Sequence, residues 1–150
     1  MPARTEHRFP LDLSVLDAAG SRVTLADLRG QARAVAAYVM RTGTCPVCIQ
    51  HARALARLDL PTHYVQPVVV VPGPPTHAAR VRRILGDRVT VVSSAGAQAH
   101  LAAGLHRTLL LQHSGIMLVD SAGVVRYRPA TALPAGSFDG PTLQAAIDRP

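Results

Sequence analysis

The sequence predicts an α/β protein in which helices flank a central mixed sheet. Two observations support this class. Apolar segments rich in β-branched residues alternate along the chain with amphipathic segments of helical period, and a hairpin pattern followed by a helix closes the chain. The length of 150 residues suits a single domain spanning residues 1–150.

Composition excludes several classes of protein. A hydrophobic fraction of 48% and a charged fraction of 17% argue against a disordered chain. Two cysteines are too few for a scaffold stabilised mainly by disulfides. The net charge is +7, and arginine carries all of the positive charge because lysine is absent. That charge favours anionic partners in general and specifies no fold.

The chain shows no targeting or membrane segment. Residues 1–12 lack the apolar stretch of a signal peptide. The continuous apolar runs, 68–72 among them, are far too short to cross a bilayer. We therefore expect a cytoplasmic protein with no membrane partner, in a compartment that keeps thiols reduced.

The first elements form an extension of the main sheet. Residues 9–16 alternate well enough for a half-buried strand, and 22–25 can pair back on it as a hairpin. Thr24 and Asp27 have the spacing of a capping box, which predicts a single helical turn that ends at Gly30.

The next strand and helix carry the most informative pattern. Residues 34–40 are apolar on both faces, as expected of a strand inside a helix-covered sheet. A loop over 41–44 follows, and a helix runs from Pro46 to about Leu58. The inward face of this helix is predicted to carry Cys48, Ala52, Leu55 and Leu58.

The remaining elements continue the alternation of strands and helices. Strands are predicted at 65–71, 89–92, 116–119 and 124–127, and helices at 76–85, 96–105 and 141–147. Residues 120–123 are a hairpin turn and 129–140 are a loop.

One constellation carries chemistry, the sequence Cys45-Pro46-Val47-Cys48 at the start of the second helix. Free N–H groups and the positive end of the helix dipole face Cys45, and both stabilise thiolate over thiol. Pro46 suits the first helical position, where its missing donor is not needed. Cys48 lies one turn further on, close enough to form a disulfide with Cys45.

The ordinary pKa of a thiol decides what this placement achieves. A thiol with a pKa of ~8.5 is only a few per cent thiolate at neutral pH, and a helix N-terminus in a CxxC motif lowers that pKa. Arg41, just before the motif, adds positive charge. We therefore predict that Cys45 is the nucleophile and that Cys48, on the core-facing stripe, resolves the oxidised form.

The motif and its context resemble the thioredoxin superfamily. CPVC at a strand–helix junction looks like its redox motif, and 11–30 resembles the N-terminal extension of redoxin and alkyl hydroperoxide reductase/thiol-specific antioxidant domains. Residues 114–128 are similar to their penultimate hairpin, and the tail around Asp139, Gly140 and Leu143 is similar to the peroxiredoxin-like subgroup. This resemblance implies a thioredoxin-like three-layer fold with an N-terminal β-hairpin extension.

The resemblance also assigns roles and shows departures. Peroxiredoxins carry a P-x-x-x-T-x-x-C loop, whose Thr orients the peroxide, and a distant Arg that stabilises the thiolate. Thr42 occupies the Thr position, whereas Tyr38 replaces the Pro. Ser114 stands where these families place either the late Arg or the cis-Pro of thioredoxins. Arg41 or Arg107 is then the candidate to replace that Arg.

Plainer interpretations stay open. The cysteines could form half of a zinc site with His51, His106 or His113, although a second cysteine pair is missing. Haem attachment is excluded because Ile49 follows Cys48 where a His is required. Two buried, inert cysteines are a further alternative. The arginines on the third helix lack interleaved aromatics, so we expect a solvated face and no nucleic-acid partner.

The resulting hypothesis is a thiol-dependent oxidoreductase without a cofactor or metal. It reduces peroxides as a peroxiredoxin-like antioxidant, with Cys45, Cys48, Thr42 and Arg41 as site residues. The alternatives are a thioredoxin-like oxidoreductase for protein or low-molecular-weight disulfides, and a redox-sensing module without turnover. The partners expected are a peroxide or disulfide substrate and an external thiol reductant, with the protein a monomer or homodimer.

Overall fold

The computed structural model describes residues 8–94, 107–108, 111–112, 114–128 and 138–149. The helices, in chain order, are α1 (Leu25–Arg29), α2 (Pro46–Ala56), α3 (Pro75–Leu85) and α4 (Gly140–Asp148), and a 3₁₀ helix spans Leu60–His63. The strands are β1 (Ser14–Leu16), β2 (Arg22–Thr24), β3 (Ala34–Val39), β4 (Val65–Pro72), β5 (Thr90–Ser94), β6 (Arg107–Thr108), β7 (Leu111–Gln112), β8 (Gly115–Asp120) and β9 (Val125–Tyr127).

The main sheet is mixed, as the sequence predicts. Within the described residues it has seven strands in the order β2-β1-β5-β4-β3-β8-β9, and β6 pairs separately with β7. β4 runs parallel to both β3 and β5. β8 is antiparallel to β3 and to β9, and β1 is antiparallel to β5. The strand that leads into the cysteine motif, β3, therefore lies between β4 and β8.

The alternation of side chains along β3 divides the core into two layers. Its even-numbered residues pack with α2, α3 and α4 on one face of the sheet, and its odd-numbered residues pack with Phe9 and Leu25 on the other. The residues on the helix-covered face are Ala34, Ala36 and Tyr38, and those on the opposite face are Val35, Ala37 and Val39. Because β3 is buried on both faces, the end of this strand is a rigid base for the motif.

The N-terminal hairpin is present, but the predicted strand over 9–16 is wrong in extent. Only Ser14–Leu16 is strand. Pro10 has no N–H for a ladder, and its carbonyl instead accepts a hydrogen bond from the Leu13 N–H at 3.1 Å in a turn. β1 pairs with β2 as expected, with Ser14 opposite Thr24.

The capping box predicted for α1 is confirmed. The Thr24 hydroxyl accepts the Asp27 N–H at 3.1 Å, and the Asp27 carboxylate accepts the Thr24 N–H at 2.9 Å. Gly30 ends the helix, as expected.

Two other boundaries differ from the predicted ones by two residues. α2 ends at Ala56 instead of Leu58, because Asp59 has a left-handed backbone (φ 52°) and a 3₁₀ turn follows. β5 extends to Ser94, where the predicted strand ends at residue 92, since the Ser93 hydroxyl is satisfied by donating to the Gly73 carbonyl at 2.6 Å. The helix predicted at 96–105 and most of the loop at 129–140 lie outside the described residues.

The hairpin between β8 and β9 is confirmed at Asp120. The Asp120 carboxylate accepts the N–H groups of Ala122 at 2.9 Å and Val124 at 3.0 Å. Gly123 takes the positive φ that closes the turn, and Phe9 donates its N–H to the Gly123 carbonyl at 2.8 Å. The hairpin thereby fixes the N-terminal segment against the sheet.

Candidate active site

The motif lies at the carboxyl end of β3, where the chain turns into α2. Cys45 is the N-cap of α2, with an extended backbone (φ −67°, ψ 116°), and Pro46 occupies the first helical turn. The Cys45 carbonyl accepts the Ile49 N–H at 3.0 Å, which is the first hydrogen bond of the helix. The local sequence determines this placement, because proline favours the first turn and the residue before proline favours an extended backbone.

The sulfur of Cys45 accepts two hydrogen bonds that favour its thiolate. The Cys48 N–H donates to Cys45 Sγ at 3.5 Å, and Nη2 of Arg41 donates to it at 3.5 Å. Burial raises the pKa of Cys45, but the hydrogen bonds from Cys48 and the positive charge of Arg41 outweigh it, so the pKa lies below the usual value. The residue is only 3% exposed.

Cys48 lies in the opposite environment, on the inner side of the helix. It has no exposed surface, and burial is the main cause that raises the pKa of its thiol. The backbone N–H of Arg41 donates to Cys48 Sγ at 3.4 Å. The two thiols also hydrogen-bond each other, which raises the pKa of Cys48 further. Both cysteines are free thiols in this structure.

Arg41 is placed by the loop so that it contacts both sulfurs. Its backbone N–H donates a hydrogen bond to the Cys48 sulfur, and its guanidinium donates one to the Cys45 sulfur. The Nε of the same guanidinium is buried and has no hydrogen-bond partner among the described residues. An unsatisfied donor beside a thiolate can donate a hydrogen bond to an oxygen atom of a bound substrate.

Thr42 is close to the motif, and its hydroxyl pairs with the hydroxyl of Thr44. The side chain is exposed, and its Oγ1 lies 3.4 Å from Oγ1 of Thr44. Its carbonyl accepts the Cys45 N–H at 3.4 Å. In the described structure, Thr42 therefore shapes the loop through its backbone.

Sequence reasoning missed a polar pair behind Cys48. The hydroxyl of Tyr38, a fully buried residue of β3, lies 3.0 Å from Nδ1 of His51 on α2. Phe138 covers both rings, with ring centroids 6.1 Å from Tyr38 and 5.6 Å from His51. The spacing of Cys48 and His51, three residues apart on one helix face, was the available signal.

Ser114 and the zinc alternative can be placed in part. Ser114 is buried and directly precedes β8, whose first residue Gly115 pairs with Val39. It therefore lies at the same sheet edge as the motif. The described residues contain no group of three or more His, Cys, Asp or Glu side chains that could hold a metal ion. His106 and His113 lie outside the described residues, as does the side chain of Arg107.

The sheet order, the position of the cysteine motif and the β8–β9 hairpin together define a thioredoxin-like α/β fold. No family model matches the sequence, and no curated protein matches it. Among the helices that the structure describes, none is long and apolar enough to cross a membrane.

Solved structures with this fold include peroxiredoxins and thiol oxidoreductases. The peroxidoxin BcpB from Mycobacterium tuberculosis is 16% identical, with a TM-score of 0.77 over 95% of this chain and 93% of its own. The thiol peroxidase from Chromobacterium violaceum is 17% identical, with a TM-score of 0.76 over 95% and 85%. A secreted disulfide oxidoreductase from Mycobacterium tuberculosis is 13% identical, with a TM-score of 0.66 over 91% and 95%.

Proposed function

We propose that this protein is a thiol-dependent peroxidase that reduces peroxides through a Cys45–Cys48 dithiol/disulfide cycle. One observation carries the proposal. The Cys45 sulfur, at the N-cap of α2, accepts hydrogen bonds from the Cys48 N–H and from Arg41. A sulfur held in this way is a thiolate at lower pH than an ordinary thiol, and the thiolate is the reactive nucleophile.

In the first step, the Cys45 thiolate attacks the terminal oxygen of a peroxide. The S–O bond forms as the O–O bond breaks, the sulfur becomes a sulfenic acid, and the alkoxide or hydroxide takes a proton to leave as alcohol or water. Charge develops on the departing oxygen in this step. The buried Nε of Arg41 is a donor placed beside the reacting sulfur, where it stabilises that charge.

In the second step, Cys48 closes the cycle. Its thiolate attacks the Cys45 sulfenic acid, an S–S bond forms, and hydroxide leaves and is protonated to water. The hydrogen bond between the two thiols supports this assignment, because the sulfurs are adjacent before reaction. An external dithiol then reduces the disulfide by exchange, and both cysteines return to the thiol form.

A second candidate function is favoured by the position of Thr42. Its hydroxyl pairs with Thr44, whereas the peroxiredoxin resemblance assigns that hydroxyl to a bound peroxide. A dithiol–disulfide oxidoreductase needs no such contact. In that reaction Cys45 attacks a substrate disulfide, and Cys48 then releases the mixed disulfide. The secreted disulfide oxidoreductase shares the fold, which supports this alternative.

The proposed cycle also requires a partner and a compartment. A thioredoxin-like protein or a low-molecular-weight thiol is the reductant that we propose, and the cytoplasm is the compartment in which such thiols stay reduced. We propose a monomer or a homodimer as the working form, with residues 1–150 as one domain. Neither a metal nor an organic cofactor takes part in the cycle.

The deciding experiment measures two rates on the same reduced protein. Oxidation of Cys45 by hydrogen peroxide is followed under pseudo-first-order conditions by quenched flow and mass spectrometry. Reduction of insulin disulfides with a dithiol donor is measured in parallel. The peroxidase proposal requires Cys45 to react with peroxide much faster than a small-molecule thiolate does.

Other outcomes separate the alternatives. A peroxide rate no better than that of a free thiolate, together with efficient insulin reduction, supports the disulfide oxidoreductase. Reversible oxidation of both thiols without turnover in either assay supports a redox sensor. All three functions would be contradicted if neither cysteine had a pKa below that of an ordinary thiol and the two cysteines formed no disulfide.

A further inference from the structure

The buried polar pair behind Cys48 joins two titratable groups through one hydroxyl. The Tyr38 hydroxyl lies 3.0 Å from His51 Nδ1 and also hydrogen-bonds the Cys48 sulfur. Because Cys48 and His51 are one turn apart on α2, both face the same residue of β3. These hydrogen bonds connect the Cys48 sulfur to the Tyr38 hydroxyl, and the hydroxyl to the His51 imidazole.

The surrounding rings hold these groups in place. The Tyr38 and His51 rings meet edge to face, with centroids 5.7 Å apart and an interplanar angle of 87°. Phe138 packs against both rings from the segment before α4. A buried tyrosine hydroxyl needs one hydrogen-bond partner. The Tyr38 hydroxyl contacts both Cys48 and His51, and each of these groups can gain or lose a proton.

The chemistry of Cys48 requires a proton acceptor. Burial raises the pKa of its thiol, yet the second step consumes the thiolate. His51 is half-buried, and burial lowers the pKa of its imidazole, so the ring is neutral at neutral pH. A neutral imidazole with Nδ1 facing a hydroxyl can accept a proton.

We propose that Tyr38 and His51 form a proton-transfer chain that activates Cys48 as the resolving nucleophile. The Cys48 S–H proton passes to Tyr38 Oη while the Tyr38 proton passes to His51 Nδ1. This transfer leaves a thiolate, a neutral tyrosine and an imidazolium. The thiolate then attacks Cys45, and the leaving group departs as an anion. The imidazolium returns its proton to solvent. The proposal rests on the proposed function only in that Cys48 resolves oxidised Cys45.

The groups that face this chain fit the transfer. From the loop after β3, Arg41 donates its backbone N–H to the Cys48 sulfur and thereby supports the thiolate. Cys45, the N-cap of α2, hydrogen-bonds Cys48 and raises its pKa while both are reduced. Phe138 is apolar. The carboxylate of the next residue, Asp139, acts on Tyr127 instead, whose pKa is raised by burial and by that carboxylate.

The test uses an aromatic disulfide that releases a coloured thiolate at each of two steps. Cys45 attacks it first and releases one thiolate, and Cys48 then attacks the mixed disulfide and releases the other. Tyr38→Phe removes the hydroxyl, and His51→Gln keeps an acceptor that cannot be protonated at neutral pH. Both variants should slow the second release about a hundredfold at neutral pH, and the first release by a much smaller factor.

The pH profile distinguishes proton transfer from a structural role. In the unchanged protein, the rate of the second release should be flat across neutral pH, because the neutral imidazole is already present. In either variant it should rise about tenfold per pH unit through neutrality, since Cys48 must then lose its proton to solvent. Loss of packing alone would lower the stability but would not change the shape of this profile.

Two matched variants control for the substitutions. Tyr64→Phe changes an exposed tyrosine, and His63→Gln changes a histidine that contacts Asp148 at the surface. Both should leave the two releases as they are. If Tyr38→Phe fails to fold, His51→Gln on the half-buried face of α2 still gives the answer. A second release within twofold of the unchanged protein, with the same pH profile, in His51→Gln overturns the proposal.

This assay is independent of peroxide. If the protein reacts slowly with peroxide but shows two releases whose ratio responds to Tyr38 and His51, the proton-transfer chain stands and the peroxidase function falls. If peroxide oxidation is fast and the rate of the second release is the same in both variants as in the unchanged protein, the peroxidase function stands and the proton-transfer chain falls.

Discussion

The start of α2 carries two cysteines, one on the outer side of the helix and one on the inner side, and their environments are opposite. On the outer side, Cys45 caps the helix, and its sulfur accepts hydrogen bonds from the Cys48 N–H and the Arg41 guanidinium. On the inner side, Cys48 is fully buried and its sulfur lies beside the Tyr38 hydroxyl. The pKa of the outer thiol is lowered and that of the inner thiol is raised.

This contrast shows that position on the helix determines the role of each cysteine. The N-cap is where free N–H groups converge, so a sulfur there gains stabilisation for its charge. Three residues later the side chain faces the core, where charge is disfavoured. The outer sulfur is therefore ready to attack, whereas the inner one must lose its proton at the moment of reaction.

The largest expected effect comes from exchanging either sulfur for oxygen. Cys45→Ser should abolish peroxide consumption, because the nucleophile is lost. Cys48→Ser should still allow one stoichiometric oxidation and should trap a Cys45 sulfenic acid or mixed disulfide. Mass spectrometry after one equivalent of peroxide checks both results. Equal loss in the two variants, with no trapped adduct in Cys48→Ser, would contradict the assigned roles.

Removing the charge on the outer side tests its electrostatics. Arg41→Gln should lower the rate of Cys45 oxidation about tenfold at neutral pH, since the thiolate loses a cationic donor. The lowered pKa of Cys45 means that the rate rises with pH and levels off earlier than for an ordinary thiol. In the variant this rise should move to higher pH. A pH–rate profile measured by iodoacetamide alkylation checks the shift.

The control for Arg41 is Arg53→Gln, which changes an exposed arginine on α2. It removes the same charge from the protein without touching either sulfur. Equal effects of the two variants would mean that the overall charge, and not the hydrogen bond from Arg41 to Cys45, sets the reactivity.

The fold was predictable where the signals are local. The apolar run that forms β3, the proline after Cys45 and the capping box at Thr24 each act within a few residues. The 3₁₀ turn over 60–63 was missed because it depends on the left-handed backbone of Asp59, which is an unusual conformation for a residue other than glycine. The strand predicted from residue 9 was too long because the prediction followed the alternation of apolar and polar residues and gave less weight to the proline at position 10.

The site was predictable only on its outer side. The motif itself indicates a thiolate at a helix N-terminus, and Arg41 is adjacent in sequence. The inner side joins Tyr38 on a strand, His51 on a helix and Phe138 from far along the chain. Only packing of α2 on β3 brings them together, so no single stretch of sequence contains the pattern.

A smaller effect is expected at Thr42. If its hydroxyl turns to the sulfur when peroxide binds, Thr42→Val should slow peroxide reduction about three- to tenfold, the value of one hydrogen bond. Disulfide exchange by Cys45 should change less. Thr44→Val is the matched control, because it removes the partner of Thr42 in the present structure. Equal effects of Thr42→Val on the two reactions would remove the case for a peroxide-binding role.

The smallest effect on activity is expected at the turns remote from the motif, where only stability should change. Gly20 and Gly123 both have positive φ, of 86° and 80°. Alanine is strained at either position by about 1–2 kcal/mol. A Cβ at Gly20 meets open space, whereas one at Gly123 would lie 2.9 Å from the Phe9 carbonyl oxygen. Gly123→Ala should therefore lower the free energy of unfolding by more than Gly20→Ala, because backbone must also move.

Urea denaturation of the reduced protein measures this difference as a shift in midpoint with an unchanged slope. The rate of Cys45 oxidation, measured on the folded fraction, should be the same in both variants. A slower rate in Gly123→Ala would show that the β8–β9 hairpin, through β8 beside β3, also positions the motif. The contrast between the two sides of α2 would then depend on the sheet as well as on the helix.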